Sequence, residues 1–339
     1  MSWMRVGIVV ALFAPVGAGC GDDGTPLAPI DGPLDDIDAP GPLCTTPASP
    51  TWWTPAPGEA RNWDIQLNPP FDTTAVRDMY ELELFDLVPA QTTIDYADGD
   101  PVTVPAGALA GTIAELHARV PPAIVVCRVA TGAIDLDDPD ARKFPGFKAA
   151  PPDRPDAPEA GSVIGWNTKD PNNPNERYLD IRASERGRWT AVMFKRFELA
   201  DQIGCDAIEA DRVDMFKATP GFTITEADET TFLGKVSDEI HAHELAAGLR
   251  NGFNIPLQVQ KMAACYDWVL QDRCAEYEDC SKSSPFAAAG KAMFALDIQL
   301  PDSDGFGIEP AVACPRYLQS GINGIVKAEE LDSSFREGC

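Results

Sequence analysis

The chain has 339 residues, with 53 acidic against 27 basic side chains and a formal charge of −26. Such a surface repels phosphate backbones, which excludes nucleic acid as a partner and suits a neutral or cationic one. Three histidines and no close CxxC pair exclude a zinc centre of the usual Cys/His kind, so no metal and no cofactor is expected.

The first twenty residues read MSWMRVGIVVALFAPVGAGC. One arginine precedes an apolar run from Val6 to Val16, too short to span a bilayer and of the length of a signal-peptide core. VGAGC resembles a bacterial lipobox, with Gly17 in place of the usual leucine. It predicts a diacylated Cys20, anchoring in a membrane and a bacterial cell-envelope location, lipid-anchored or secreted. No later segment is apolar over enough length to cross a membrane. Residues 21–50 are rich in Pro, Gly and Asp and cannot bury a core, so a disordered acidic tether is expected there. The folded domain is expected over 51–339.

From Trp52 onward apolar runs alternate with amphipathic stretches. Strands are expected at Trp63–Leu67, Leu84–Val88, Ala123–Ala130, Cys205–Asp211, Gly248–Phe253, Tyr266–Leu270, Ala292–Asp297 and Ile322–Lys327. Helices are expected at Ala108–Val120, Ala183–Ile203, Glu226–Ala247 and Ser333–Glu337. Eight strands alternating with helices predict a single (β/α)8 TIM barrel, with a doubly wound sheet as the alternative. No Gly-rich phosphate loop follows any strand, which argues against a nucleotide site. His241 and His243 lie two apart in a helical stretch, do not face each other, and read as ordinary helix residues.

Setting Cys20 aside, eight cysteines remain, enough for four disulfides in an exported protein. Cys274 and Cys280 are nearest in sequence and are expected to bridge; the other pairings stay open. The acidic run Asp135–Asp140 lacks the spacing of a calcium loop. Residues 150–176 form a long polar loop, and its Trp166 is either a stacking platform for a sugar or a loop anchor.

The most informative stretch is GCDAIEADRVD, Gly204–Asp214. Side chains alternate along a strand, so Glu209 and Asp211 share one face and Ile208 the other. Two carboxylates then meet at the C-terminal end of a strand, where barrel enzymes carry their chemistry. Crowding can hold one carboxyl protonated, as an acid catalyst requires. A solvated acidic loop would produce the same pattern.

Several segments in order resemble glycoside hydrolase family 114: WDIQL at 63–67, IVVCRVATGA at 124–133, RYLDIR at 177–182, GCDAIEADRVD, HELAAGLRN at 243–251, YDWVLQDRC at 266–274, YEDC at 277–280 and GKAMFALD at 290–297. That family comprises TIM-barrel, endo-α-1,4-polygalactosaminidase-like enzymes. The resemblance implies Asp211 as the nucleophile-like carboxylate and Asp272 as the acid/base. Glu209, Asp214, Asn251 and Asp297 are then expected as substrate-binding residues, beside Trp166 if the loop offers it as a stacking platform. Departures accompany it: Asp272 and Asp297 replace glutamates, Arg212 an asparagine, Arg128 a tyrosine and Arg250 a lysine. The implied function is an exported, monomeric glycosidase that cleaves an α-linked galactosamine-containing polysaccharide. The departures keep an alternative open, a catalytically degenerate, glycan-binding surface lipoprotein.

Overall fold

The structure is a computed structural model that describes residues 43–45, 49–149, 158–170, 172–300 and 305–339. The expected signal segment, Cys20 and the expected tether up to residue 42 lie outside the described residues.

Eight parallel strands form a TIM barrel: β1 (Trp63–Gln66), β2 (Met79–Glu83), β3 (Ile124–Ala130), β4 (Ala207–Asp211), β5 (Ala246–Arg250), β6 (Trp268–Asp272), β7 (Ala292–Ile298) and β8 (Asn323–Lys327). A ninth, β9 (Arg336–Gly338), pairs antiparallel with β8. Among the described residues no backbone ladder joins β1 to β8. Side chains clasp that seam instead: Trp63 Nε1 donates to the Asn323 carbonyl at 3.0 Å and Arg336 Nε to the Trp63 carbonyl at 2.8 Å. The Lys327 ammonium sits 2.8 Å from Asp64 Oδ1, fully buried.

Alternation sorts each strand into two faces. Inward residues such as Ile65, Met79, Val126, Ala207, Trp268, Phe294 and Ile325 fill the lower cylinder as one apolar cluster. Outward residues such as Val125, Ile208, Leu249 and Val269 meet the helices. Among the described residues six helices follow in the outer layer: α1 (Thr112–His117), α2 (Thr190–Ile203), α3 (Glu226–Ala242), α4 (Pro256–Cys265), α5 (Ser284–Ala288) and α6 (Pro310–Ser320). α3 starts where Thr225 caps it, its side chain accepting the Asp228 amide while its own amide donates to the Asp228 carboxylate, and buries Phe232, Leu233, Val236 and Ile240. α2 ends at Gly204, whose φ of 93° supplies the left-handed turn that starts β4.

Several expected boundaries move. The second strand is Met79–Glu83, and Leu84–Leu87 is a 3-10 turn rather than a strand. α3 stops at Ala242, so β5 begins at Ala246. Ser333–Glu337 is not a helix, and Arg336 starts the edge strand β9. The polar loop over 150–176 contains Ile164–Asn167 and the start of Glu176–Leu179, which join Ala133–Asp135 in a three-stranded antiparallel sheet.

Four disulfides are present, and Cys274–Cys280 is one of them. The others are Cys44–Cys265, Cys127–Cys205 and Cys314–Cys339. Cys44 thus belongs to the folded body, and Leu43 packs on its core. The body therefore starts before residue 51. Trp52 stacks on His241 at 4.3 Å, and both rings donate to, or share a proton with, Asp267 Oδ2 at 2.9 Å.

Candidate active site

The C-terminal halves of β2 to β6 turn charged side chains into the barrel, at its mouth or just below it. β2 contributes Glu81 and Glu83, β3 Arg128, β4 Glu209 and Asp211, β5 Arg250 and β6 Asp272. These are the same inward positions that carry apolar side chains lower down, so the strand period alone delivers them.

Asp211 is 5% exposed. Its Oδ2 accepts two bonds from Arg128, at 3.0 Å from Nε and 2.6 Å from Nη2, and its Oδ1 accepts the Arg212 amide at 2.6 Å. Burial opposes its ionisation, but Arg128, Arg250 and Arg212 outweigh that and hold the carboxyl far below the usual carboxylate range. Asp211 is therefore an anion at every working pH. Arg128 also reaches Glu83 at 2.9 Å and Glu176 at 3.6 Å.

Asp272 lies two strands away. Arg250 Nε donates to its Oδ2 at 2.9 Å, and the Asn251 amide donates to the same oxygen at 2.8 Å. Asn251 Oδ1 accepts the Asp272 backbone N–H at 2.9 Å, which fixes the Asp272 side chain from both ends. The other end of the Arg250 guanidinium, Nη1, is 3.8 Å from Asp211 Oδ2. One guanidinium thus spans the space between the two candidate carboxylates.

Three strands leave the barrel in the same way. The residue after Asp211, Arg250 and Asp272 is in each case left-handed without being glycine: Arg212 at φ 59°, Asn251 at 65° and Arg273 at 56°. Such turns cost about 1–2 kcal/mol each and persist where packing overdetermines them. Here they bend the chain sharply away from the last inward side chain and leave that side chain facing the mouth.

Asp211 opens into a cavity of about 390 Å³ that extends under the antiparallel sheet of the β3–β4 connection. Seven carboxyl side chains line it, those of Glu83, Asp135, Asp137, Asp138, Asp170, Glu176 and Asp211, against the guanidiniums of Arg128, Arg196, Arg212 and Arg250. Asp272 opens on a neighbouring cavity of about 350 Å³, which shares Asp170, Asn172, Arg212 and Arg250 with the first. Arg212 pairs with Asp170 and lies 2.7 Å from Glu176.

The remaining expected site residues lie elsewhere. Glu209 has no exposed surface and sits below the floor of the mouth, so it cannot touch a sugar. Asp297 is also fully buried, and it accepts the Tyr317 hydroxyl and the amides of Ala275 and Glu276, which ties the β6–β7 connection to α6. Asp214 accepts from the Gly252 amide at 3.1 Å and Asn254 at 2.9 Å, bracing the β4 and β5 loops. Trp166 packs beside Gly221, and its backbone bonds Pro220, which fits the loop-anchor reading. Asn251 serves Asp272. In the acidic run, Asp138 and Asp140 close on the buried Arg196 at 2.8 and 2.6 Å. Among the described residues no cluster of His, Cys, Asp and Glu is arranged to hold a metal.

Glu81, Glu83, Glu176 and Asp170 were not anticipated. A signal for the first two exists in MYELE, where acids alternate with apolar residues as they do in β4. Glu176 and Asp170 come from a loop excursion and carry no local signal.

The model of glycoside-hydrolase family GH114 matches residues 43–339. Among solved structures, Aspergillus fumigatus Ega3, in complex with galactosamine, is 24% identical with a TM-score of 0.62, covering 87% of this chain and 99% of that one. The glycoside hydrolase domain of PelA from Pseudomonas aeruginosa is 17% identical with a TM-score of 0.48, covering 82% and 96%. Among curated proteins none matches.

Proposed function

Since the chain belongs to glycoside-hydrolase family GH114, and is a glycosidase by that membership, we propose that it hydrolyses an α-linked, galactosamine-containing polysaccharide with Asp211 and Asp272 as its two carboxylates. Asp211 is the nucleophile, and Asp272 protonates the leaving oxygen and later activates water. The observation that carries this is Asp211 at the end of β4, bonded twice by Arg128 and set inside a cavity where carboxyls outnumber guanidiniums. A fixed anion stabilises positive charge that develops at the anomeric carbon. The surplus of carboxyls attracts an amino sugar, which carries an ammonium. That Ega3 is described with galactosamine bound is consistent with this choice of sugar.

The test is release of new reducing ends from partially deacetylated galactosaminogalactan. Asp211→Asn is expected to lower kcat on the order of a thousandfold or more with the fold intact. Equal release by wild type and Asp211→Asn would remove the proposal.

One observation favours a second reading, glycan binding without turnover. Both Asp211 oxygens are already occupied, Oδ2 by Arg128 and Oδ1 by the Arg212 amide, and an arginine also bonds Asp272. Asp272→Glu separates the readings. Hydrolysis that appears only in that variant supports a degenerate site; hydrolysis by wild type supports the enzyme.

We further place the enzyme in the bacterial cell envelope as a monomer, with residues 1–20 as signal segment, 21–42 as tether and Cys20 as the lipid attachment site. Labelled palmitate should enter the wild-type protein and not Cys20→Ala; equal labelling, or none in either, refutes the anchor.

A further inference from the structure

Beneath the two carboxylates sits an acid pair that can neither attack nor protonate a sugar. Glu81 on β2 and Glu209 on β4 are fully buried. No donor bonds any of their four oxygens, yet the two carboxyls lie against each other within hydrogen-bond reach. Two ionised carboxylates in that position would repel in a medium of low dielectric, whereas one proton between them turns repulsion into a hydrogen bond. Burial raises the proton affinity of both, and the mutual repulsion raises that of Glu209 further.

Arg250 hangs directly above. Its Nη1 has no hydrogen bond and lies 3.8 Å from Glu81 Oε1, 3.7 Å from Glu209 Oε1 and 3.8 Å from Asp211 Oδ2. Its Nε holds Asp272. The other charges facing the pair are Glu83 on β2, Arg128 on β3, Asp211 on β4 and Asp272 on β6. β1 and β7 offer apolar side chains, and β8 offers Ile325, its Lys327 being engaged by Asp64 at the seam.

We propose that Glu81 and Glu209 share a single proton, and that this pair, as one negative charge, holds Arg250 midway between Asp211 and Asp272. The two glutamates are positioning residues acting through Arg250. With the pair neutral, Arg250 has counter-charges only above it and is drawn away from the pair towards Asp211 and Asp272. With the pair singly charged, that pull is shared and Arg250 stays stretched between Asp272 and the carboxyls below it. The inference deepens the two-carboxylate reading and rests on it for its kinetic consequence, but not for the shared proton itself.

The first test uses the folded protein without substrate. Infrared difference spectra, wild type minus Glu81→Gln and wild type minus Glu209→Gln, are expected to show at neutral pH a protonated-carboxyl carbonyl band that moves in heavy water. Each single variant leaves one carboxylate facing Arg250 and needs no proton. Absence of the band from both difference spectra overturns the shared proton, whatever the enzyme cleaves. The second test is the pH profile of kcat/KM on the galactosamine polymer. The single variants keep one negative charge and are expected to leave the shape of the profile unchanged, while the double variant Glu81→Gln/Glu209→Gln displaces its basic limb. A uniform loss of rate with no displacement of the limb in the double variant overturns the role through Arg250. A protein that cleaves no polymer leaves the infrared result to stand and counts against the substrate assignment alone.

Discussion

Asp211 and Asp214 lie three residues apart in one sequence motif and have opposite electrostatics. Asp211 is held ionised by three guanidiniums. Asp214 has none, and burial raises its carboxyl to about 6. Both of its donors bond Oδ1, which leaves Oδ2 to carry a proton. A carboxyl raised in the folded state binds its proton more tightly there than in the unfolded chain. Its contribution is therefore complete below the unfolded value near 3.8 and is lost as pH rises through about 6. The span is about 2–3 kcal/mol. Asp214→Asn should remove that decline, so that urea midpoints compared at pH 4 and pH 7 differ less than in the wild type. An unchanged difference would contradict a protonated Asp214. At this scale sequence reading found that acids converge after β4. It could not tell which of Glu209, Asp211 and Asp214 reaches solvent, because that depends on partners from β2, β3 and β5.

β3, β4 and β6 lie within two residues of the expected runs, and of the strands that carry the candidate site β2 is the one the sequence misplaces most. β2 was displaced by five residues because MYELE carries two inward acids, and the neighbouring LFDLV looks more like a buried strand. Its apolar residues instead serve a 3-10 turn that packs Leu84 and Leu87 on the core. α4 and α6 escaped because each is short, and α6 carries Pro315 within it. α2 and α3 were legible because their apolar residues recur at helical spacing over fourteen and seventeen residues. Gly248 gives β5 a requirement of its own. A Cβ there would lie 2.0 Å from the Trp268 ring, which fills the cylinder between Trp53 and Phe294. Gly248→Ala should cost about 1–3 kcal/mol or more, measured as a fall in Tm with loss of the near-ultraviolet tryptophan signal. A variant as stable as the wild type would show that the ring can move.

Over the whole molecule, the eight-strand count and the barrel were readable from alternation, and the Cys274–Cys280 bridge from proximity. The three long-range bridges were not, since pairing across up to 221 residues depends on the closed topology. Cys44–Cys265 fastens the segment before Trp52 to the end of α4. Replacing both cysteines by serine should lower stability by about 2–4 kcal/mol, seen as a lower denaturant midpoint, because the unfolded chain regains the freedom of a long loop. An unchanged midpoint would mean that Trp52 on His241 and Leu43 on the core hold that segment unaided.

The clasp between β1 and β8 gives the cylinder a preferred line of parting. Elsewhere two neighbouring staves separate only when a run of amide-to-carbonyl bonds breaks together. Along this line a lysine, an aspartate, an indole and an arginine can let go one at a time. Asp211 and Asp272 stand on β4 and β6, away from that line, while Leu67 and Leu331 beside it line the first cavity, so a parting there would open the cavity wall while the staves that carry the two acids stay in register.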